Sequence, residues 1–195
     1  MKVLIVNKKR FGVTMIIIGL MLVLFGLEKN FDNRLKIAAL IHNDVSSFKE
    51  YNILMDKISY KLPSNWETNE QIVNGQDIIY NNSFIDKKKN MHGFIQVWNY
   101  KGDLKTFIKH SKEASEGQQI DYTKYNIIPV DINNMKGYLT EYSILKEDKE
   151  YVAYEYFLKL EERFIRVSFF VQEEYYQESI QTVFNSILKS IIYKY

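Results

Sequence analysis

The chain opens with an uncharged apolar run. Residues 11–27 read FGVTMIIIGLMLVLFGL and follow the basic cluster Lys8, Lys9 and Arg10. A helix of this length rises about 26 Å, close to a hydrocarbon core of about 30 Å. No small-x-small cleavage pattern follows the run, so it predicts an uncleaved transmembrane signal anchor. The basic residues before it favour a cytoplasmic tail at 1–10, with the rest of the chain outside the cell membrane.

Three glycines recur within this run at intervals of seven residues, at Gly12, Gly19 and Gly26. On a helix, positions seven residues apart drift by only about 20° per step, so the three glycines share one face. A face without side chains allows another membrane helix to approach closely. The spacing therefore predicts self-association of the anchor through this face.

Helical spacing continues after the anchor, without Gly or Pro, over residues 28–54. The apolar positions are Phe31, Leu35, Ala38, Ala39, Ile41, Val45 and Phe48. This pattern predicts a juxtamembrane helix or helical stalk over 28–54. From Met55 onward the chain changes to short runs typical of strands. We therefore place a domain boundary near Met55–Lys57 and expect one extracytoplasmic domain at 55–195.

The first part of this domain reads as strands and turns. Residues 58–62 alternate apolar and polar side chains, and Pro63 is expected to end that strand. The pair Asn74-Gly75 separates two apolar runs and tolerates the backbone of a tight hairpin turn. Residues 93–100 predict a further strand.

A helix is predicted next, with Asp103 as its N-cap, an end near Glu116 and a stop at Gly117. Four strands are then expected at 125–131, 137–145, 151–160 and 164–172. Short charged connections between them imply antiparallel neighbours. Residues 175–192 close the chain as an amphipathic helix that packs on the sheet. These elements give an α+β fold, an antiparallel β-sheet flanked by helices.

Several of these residues resemble one fold family. The opening strand runs into Leu62-Pro63-Ser64-Asn65-Trp66, a later strand starts at Gly137, and the closing helix contains Phe184-Asn185-Ser186-Ile187. In this order they resemble the fold of the PsbP oxygen-evolving-complex proteins, the Mog-type Ran-binding proteins and the DcrB lipoproteins, over residues 58–192. The resemblance implies a curved antiparallel sheet between helices, an α/β/α sandwich used as a binding module. It carries over no ligand-binding residue.

Aromatic side chains are frequent on the predicted strands, including positions expected to face outward. We therefore predict a partner-binding surface around Trp98, Tyr100, Tyr142 and Tyr154. With the domain outside the membrane, the expected partner is another protein of the cell envelope. The function predicted from the sequence is a membrane-anchored extracytoplasmic binding or assembly module.

Charge and composition remove several other classes of function. The formal net charge is +2, and the basic run Lys87-Lys88-Lys89 is short, so no nucleic-acid partner is expected. The chain has no cysteine, which excludes disulfides, thiol nucleophiles and thiolate metal sites. Its histidines lie far apart in sequence, without the spacing of metal ligands. We expect no cofactor and no metal.

Two other functions stay open at this point. Carboxylates are abundant in the second half of the chain, so a cell-envelope hydrolase could use a carboxylate pair that sequence cannot locate. The sequence has no GxSxG elbow, phosphate loop, HExxH or GxGxxG. The segment around Gly12 also resembles a type IV pilin leader, which would make the chain a structural subunit. However, Ile17 stands where pilins carry a glutamate.

Overall fold

The structure is a computed structural model that describes residues 8–72, 77–117, 120, 122–146 and 148–194. Its helices are α1 (Lys8–His42), α2 (Leu104–Glu116) and α3 (Ile180–Lys189), with a single 3-10 turn at Glu173–Tyr175. Its strands are β1 (Phe48–Ile53), β2 (Ile58–Pro63), β3 (Glu67–Gln71), β4 (Ile78–Asp86), β5 (Met91–Asn99), β6 (Tyr122–Ile132), β7 (Met135–Lys146), β8 (Lys149–Lys159), β9 (Arg163–Gln172) and β10 (Ile192–Tyr193). The predicted α+β fold is confirmed.

Helix α1 carries apolar side chains that nothing in the described fold covers. From Phe11 to Val23 every side chain is exposed, and the large apolar ones are 47% to 68% exposed. Within the residues that the structure describes, no helix combines the length and the hydropathy needed to cross a membrane. Residues 1–7 of the predicted cytoplasmic tail and the side chains of 24–31, with Gly26 among them, lie outside the described residues.

The predicted stalk helix over 28–54 is too long, because α1 ends at His42. The Asn43 side chain donates to the Ala39 carbonyl at 2.8 Å, and Asp44 takes a positive φ of 58°. A residue in this left-handed conformation ends a helix in the way glycine often does. The apolar positions Val45 and Phe48 fit the helical period, yet Phe48 starts a strand.

The predicted domain boundary near Met55–Lys57 falls inside a hairpin. Strands β1 and β2 pair in antiparallel register from Phe48 opposite Pro63 to Ile53 opposite Ile58. Leu54, Met55 and Asp56 form the turn between them, all with positive φ. The folded unit therefore begins before β1, and the end of α1 is attached to it.

The large sheet has seven strands in the order β3-β4-β5-β9-β8-β7-β6. Every neighbouring pair in it is antiparallel, which confirms the prediction made for β6, β7, β8 and β9 from their short charged connections. The chain runs through β3, β4 and β5, crosses by α2 to the far edge, and returns through β6, β7 and β8 to β9. Strand β9 then pairs with β5 in the middle of the sheet. The predicted hairpin joins β3 and β4, although its turn at 73–76 lies outside the described residues.

The main core lies on the face of the sheet that α3 covers. The rings of Phe169 and Phe184 stack at 4.0 Å between their centroids, and both side chains are fully buried. A second sheet of β1, β2 and β10 contributes to the same core, with Tyr60 and Leu62 fully buried. The two predicted apolar faces of β8 and β9 meet here, through Tyr154, Tyr156, Leu158, Ile165, Val167, Phe169 and Val171.

The opposite face of the sheet is covered by α2. As predicted, Asp103 caps this helix: its carboxylate accepts from the backbone N–H of Thr106 at 2.8 Å. Leu104 and Ile108 pack on Phe157 and Phe164 of the sheet. The domain is therefore a sheet between two layers, with α2 on one side and α3 with the small sheet on the other.

Strands β7 and β8 approach each other closely at Gly137. A Cβ atom at this position would overlap the carbonyl oxygen of Phe157 on the neighbouring strand. We expect Gly137→Ala to lower the free energy of unfolding by about 3 kcal/mol, because a backbone strand must shift to make room. Equilibrium chemical denaturation of the purified chain, followed by circular dichroism, measures this change.

Gly117 provides the matched control for this substitution. Its backbone is already helical, at φ −62°, and the nearest atom to a new Cβ is 3.4 Å away. Gly117→Ala should leave stability unchanged or raise it by up to about 1 kcal/mol. Equal destabilisation by the two substitutions would contradict the packing described for Gly137.

Candidate functional site

A small cavity lies between α2 and the sheet. Its volume is about 190 Å³, and its walls combine aliphatic and aromatic side chains with a few polar ones. The lining residues are Ile108, Ser111, Lys112, Ser115, Ile120, Tyr122, Tyr125, Tyr142, Ile144, Glu155, Phe157, Arg166 and Phe170. A concave apolar site with few convergent polar groups is the usual form of a small-molecule site.

Glu155 is the buried charge at the base of this cavity. Its side chain is 5% exposed, and both carboxylate oxygens accept hydrogen bonds. The Tyr142 hydroxyl donates to Oε1, and Ser168 donates to Oε2 at 2.6 Å. Arg166 donates to Oε2 through Nε at 2.6 Å and also pairs through Nη2 at 2.6 Å. A carboxylate placed between apolar strands stays charged only with partners of this kind.

Arg166 is held in place by rings as well as by the carboxylate. Its guanidinium lies 5.0 Å from the centroid of Phe94 and 5.4 Å from that of Phe157. Its side chain is 19% exposed, which marks it as largely removed from water. A planar cation over aromatic faces is stabilised by the ring quadrupole, more strongly where water is excluded.

Three tyrosines form the outer wall of the cavity. Tyr125 stacks on Tyr142 at 5.5 Å, and Tyr122 meets both rings edge-on at 5.1 Å and 5.0 Å. The Lys112 ammonium lies over Tyr122 at 5.6 Å and over Tyr125 at 5.2 Å. It also pairs with Glu116 one helical turn further along. We call Tyr122, Tyr125 and Tyr142 the tyrosine wall.

Two phenols of this wall, Tyr125 and Tyr142, lie in an environment that disfavours their ionised form. Burial, and after it the charge of Glu155, raises the pKa of Tyr142 well above its ordinary value. The same two causes, in the same order, raise the pKa of Tyr125. Both hydroxyls are therefore hydrogen-bond donors over the whole physiological range of pH.

A larger open groove of about 510 Å³ lies near the start of α2, between Asp103, Pro129, Asp131, Lys136 and Lys159. The Asp103 carboxylate is already engaged with Thr106, and hydrogen bonding to the Thr106 backbone lowers the pKa of Asp103. Lys136 and Asp131 are exposed, and so is Lys159. We favour the cavity beneath α2 as the site, because its polar groups are buried and converge.

The sequence-predicted surface of Trp98, Tyr100, Tyr142 and Tyr154 does not form one face. Trp98 stacks on Phe164 at 5.7 Å, and Tyr100 meets Phe107 of α2 at 5.1 Å. Tyr142 lies beneath α2 and is 8% exposed. Tyr154 is on the opposite side of the sheet, 9% exposed, with its hydroxyl 2.8 Å from that of Tyr176.

The error came from treating aromatic strand residues as outward-facing. Helix α2 covers the second face of the sheet, so both faces carry aromatic side chains in contact with a helix. Of the four predicted residues, only Tyr142 lines the cavity.

Sequence reasoning missed Glu155, Arg166 and Lys112. Glu155 is one of the many carboxylates in the second half of the chain, and its side chain is buried. The signal was present in the two-residue period of the strand, since Glu155 shares a face with Ala153 and Phe157. A charge between apolar neighbours on one strand face indicates a buried charge that needs a partner.

The two buried carboxylates of the described residues lie apart, on opposite faces of the large sheet. Glu155 and Asp86 are the buried carboxylates among the described residues. Glu155 faces α2, whereas Asp86 accepts from the Trp66 indole at 3.1 Å on the α3 side. The residues described also contain no cluster of three or more His, Asp or Glu side chains placed to hold a metal ion.

Comparison with known proteins identifies the fold. The solution structure of the PsbP protein CyanoP from the cyanobacterium Synechocystis sp. PCC 6803 matches with a TM-score of 0.56 at 13% identity, over 77% of this chain and 94% of CyanoP. A Bacteroides thetaiotaomicron crystal structure gives 0.44 at 14% identity, over 75% and 48%. A Pseudomonas aeruginosa protein of unknown function gives 0.42 at 8% identity, over 77% and 99%.

No family model and no curated protein sequence matches the chain. The resemblance read from the sequence is confirmed at the level of the fold, because the structural match to CyanoP covers nearly all of that protein. The chain has a PsbP-like fold.

The bond from Tyr142 to Glu155 can be tested by removing one oxygen. Tyr142→Phe leaves Glu155 with one donor fewer in a buried site. We expect the free energy of unfolding to fall by about 1.5–3 kcal/mol, the range for a hydrogen bond to a charged group. Chemical denaturation of both proteins gives the difference.

Tyr122→Phe is the matched control for this variant. The Tyr122 hydroxyl has no hydrogen-bond partner among the described residues, although its ring belongs to the same wall. Its removal should change stability by less than about 0.5 kcal/mol. A larger loss from Tyr122→Phe than from Tyr142→Phe would overturn the assignment of the Glu155 bond.

The buried tyrosines make the fold sensitive to alkali. Burial raises the pKa of Tyr156 to about 12 and that of Tyr60, Tyr80 and Tyr154 further still. Their contribution is complete below the unfolded pKa of about 10 and is lost as pH rises above it. We expect tyrosinate absorbance to rise in two steps, the second coinciding with loss of the circular dichroism signal. A single step near pH 10 with the fold intact would show that these phenols are exposed.

Proposed function

We propose that the chain is a membrane-anchored extracytoplasmic module that binds a ligand or partner and holds it at the membrane surface. Residues 11–27 form the anchor, and the PsbP-like domain lies outside. The proposal is supported by the uncharged run after Lys8, Lys9 and Arg10 and by the exposed apolar side chains of α1. In water such a helix surface would be costly to leave uncovered, whereas a lipid phase would cover it.

The connection between anchor and domain favours a fixed tether. His42 at the end of α1 lies 2.8 Å from the Gln177 amide oxygen, and Asn43 donates to Ser179 at 3.2 Å. Leu40 packs against the main core. The helix end is therefore joined to the layer that contains α3, and α2 with its cavity covers the other face of the sheet.

The single observation that favours binding over catalysis is that both carboxylate oxygens of Glu155 already accept hydrogen bonds. Its oxygens are occupied by Tyr142, Ser168 and Arg166, so the charge is compensated inside the fold. A general acid or base needs a group that can exchange its proton with a substrate. The remaining polar side chains around the cavity can instead hold a ligand without reacting with it.

Self-association through the glycines of the anchor remains part of the proposal. A Cβ placed on Gly12 or Gly19 would have no atom within 4 Å, so that helix face is open. An envelope protein is the other partner that we propose. Crosslinking in intact cells would separate a homodimer from a complex with a second protein.

Topology is tested by protease protection in cells that carry the chain with a C-terminal tag. We expect protease added to spheroplasts to remove the tag and to digest the domain, because residues 28–195 lie outside. Mass spectrometry of the membrane-extracted chain should find residues 11–27 still attached. A tagged cytoplasmic protein in the same cells controls for lysis.

Protection of the tag in intact spheroplasts, with digestion only after lysis, would overturn the proposed orientation. Release of the chain from membranes by alkaline carbonate would overturn the anchor itself, since a spanning helix resists that extraction.

A further inference from the structure

The charged side chains around the cavity differ in how many of their hydrogen-bonding positions are already used within the protein. A carboxylate offers about four acceptor positions. Glu155 receives a donor from Tyr142 at Oε1, and donors from Ser168 and from two nitrogens of Arg166 at Oε2, so four donor atoms already face its two oxygens. Among the described lining residues, a ligand amine would therefore find no carboxylate without such partners.

Unused donors remain around the same cavity. Arg166 has five N–H groups, of which Nε and one on Nη2 point at Glu155. The Lys112 ammonium has three N–H groups, and Glu116 is the one acceptor that they contact among the described residues. The hydroxyls of Tyr122 and Tyr125 have no hydrogen-bond partner among the described residues. The described walls of the cavity therefore offer N–H donors on two cations, together with phenol hydroxyls that can donate or accept.

Charge favours the same kind of ligand. Counted over the described residues, the cavity walls contain two cations, Lys112 and Arg166, and one carboxylate, Glu155. Glu116 pairs with Lys112 from outside the cavity, and its side chain is 46% exposed, so that pair is weak. Lys112 lines the cavity while its own side chain is 30% exposed, which places it at the opening. An incoming anion would meet this ammonium first.

The size and the walls of the cavity limit the rest of the ligand. An engineered apolar cavity of about 150 Å³ holds one benzene molecule. The volume of about 190 Å³ is slightly larger and leaves room for one additional small group. Ile108, Ile144, Phe157 and Phe170 supply apolar walls, and the tyrosine wall supplies ring faces.

We infer that this cavity binds a small monocarboxylate with an aromatic or branched apolar body. The carboxylate accepts from Lys112 and from the free N–H groups of Arg166 and the tyrosine wall. The apolar body lies against the isoleucines and phenylalanines. This inference rests on the proposed binding function and names its ligand class.

Isothermal titration calorimetry of the full chain in a maltoside detergent tests the ligand class with three probes of similar size. Benzoate carries the carboxylate, benzyl alcohol is neutral and benzylammonium is cationic. We expect benzoate to bind at least tenfold more tightly than either of the others. Benzylammonium binding as tightly as benzoate would overturn the inference, and so would the absence of benzoate binding to the folded chain.

Two substitutions on α2 locate the binding site. Lys112→Met removes the ammonium at the opening, and we expect it to weaken benzoate about tenfold while leaving benzyl alcohol unchanged. Lys109→Met is the matched control, because Lys109 lies on the exposed face of the same helix. This substitution removes the same charge as Lys112→Met. It should leave benzoate binding unchanged. An equal loss in both variants would show that benzoate responds only to overall charge.

A third variant fills the cavity. Ser115 lines it from α2, and Ser115→Leu should abolish benzoate binding while circular dichroism shows the fold retained. Unchanged binding would place benzoate elsewhere on the protein. This outcome is independent of the topology experiment. If the chain is correctly anchored but binds no benzoate, only the inferred ligand class is refuted. If the tag is protected and benzoate still binds, only the proposed extracytoplasmic location is refuted.

Discussion

The pairing of β5 with β9 is the constraint on which the rest of the domain depends. Every other neighbouring pair in the large sheet joins strands that follow one another in the chain. The β5–β9 pair alone joins the two halves of the sheet, from Met91 opposite Val171 to Asn99 opposite Arg163. It requires the chain to cross the sheet by α2, which is why a helix covers that face. The cavity between α2 and the strands is a product of this crossing.

The sequence predicted elements better than it predicted surfaces. The cap at Asp103 and the stop at Gly117 located α2, and the charged connections fixed the antiparallel order, because these signals are local. The end of α1 was missed, because Val45 and Phe48 continue the helical period past it and this local pattern does not show that β1 pairs with β2. The side of the sheet on which Tyr142 and Tyr154 lie was missed for a related reason. Which strand faces are buried depends on where the helices lie, and only the β5–β9 pairing decides that.

The cavity beneath α2 combines stability with recognition in one group of side chains. Arg166 and Ser168 compensate the buried charge of Glu155, and the same arginine also lines the cavity. These residues form no sequence motif, since Glu155 is on β8 and the other two are on β9, and the register of the two strands makes them neighbours. A site of this kind can be recognised by asking, for each strand face, which charged residue has apolar neighbours.

The two edge strands of the large sheet affect whether neighbouring copies of the chain can join their sheets at high local concentration. One edge is β3, a strand of five residues with Glu67 and Glu70 along it, and the other is β6, which carries Lys124, Pro129 and Asp131. Short length, charge and a proline without an N–H all discourage a second sheet from joining such an edge. Molecules crowded on a surface could therefore stand side by side without their sheets merging into fibres.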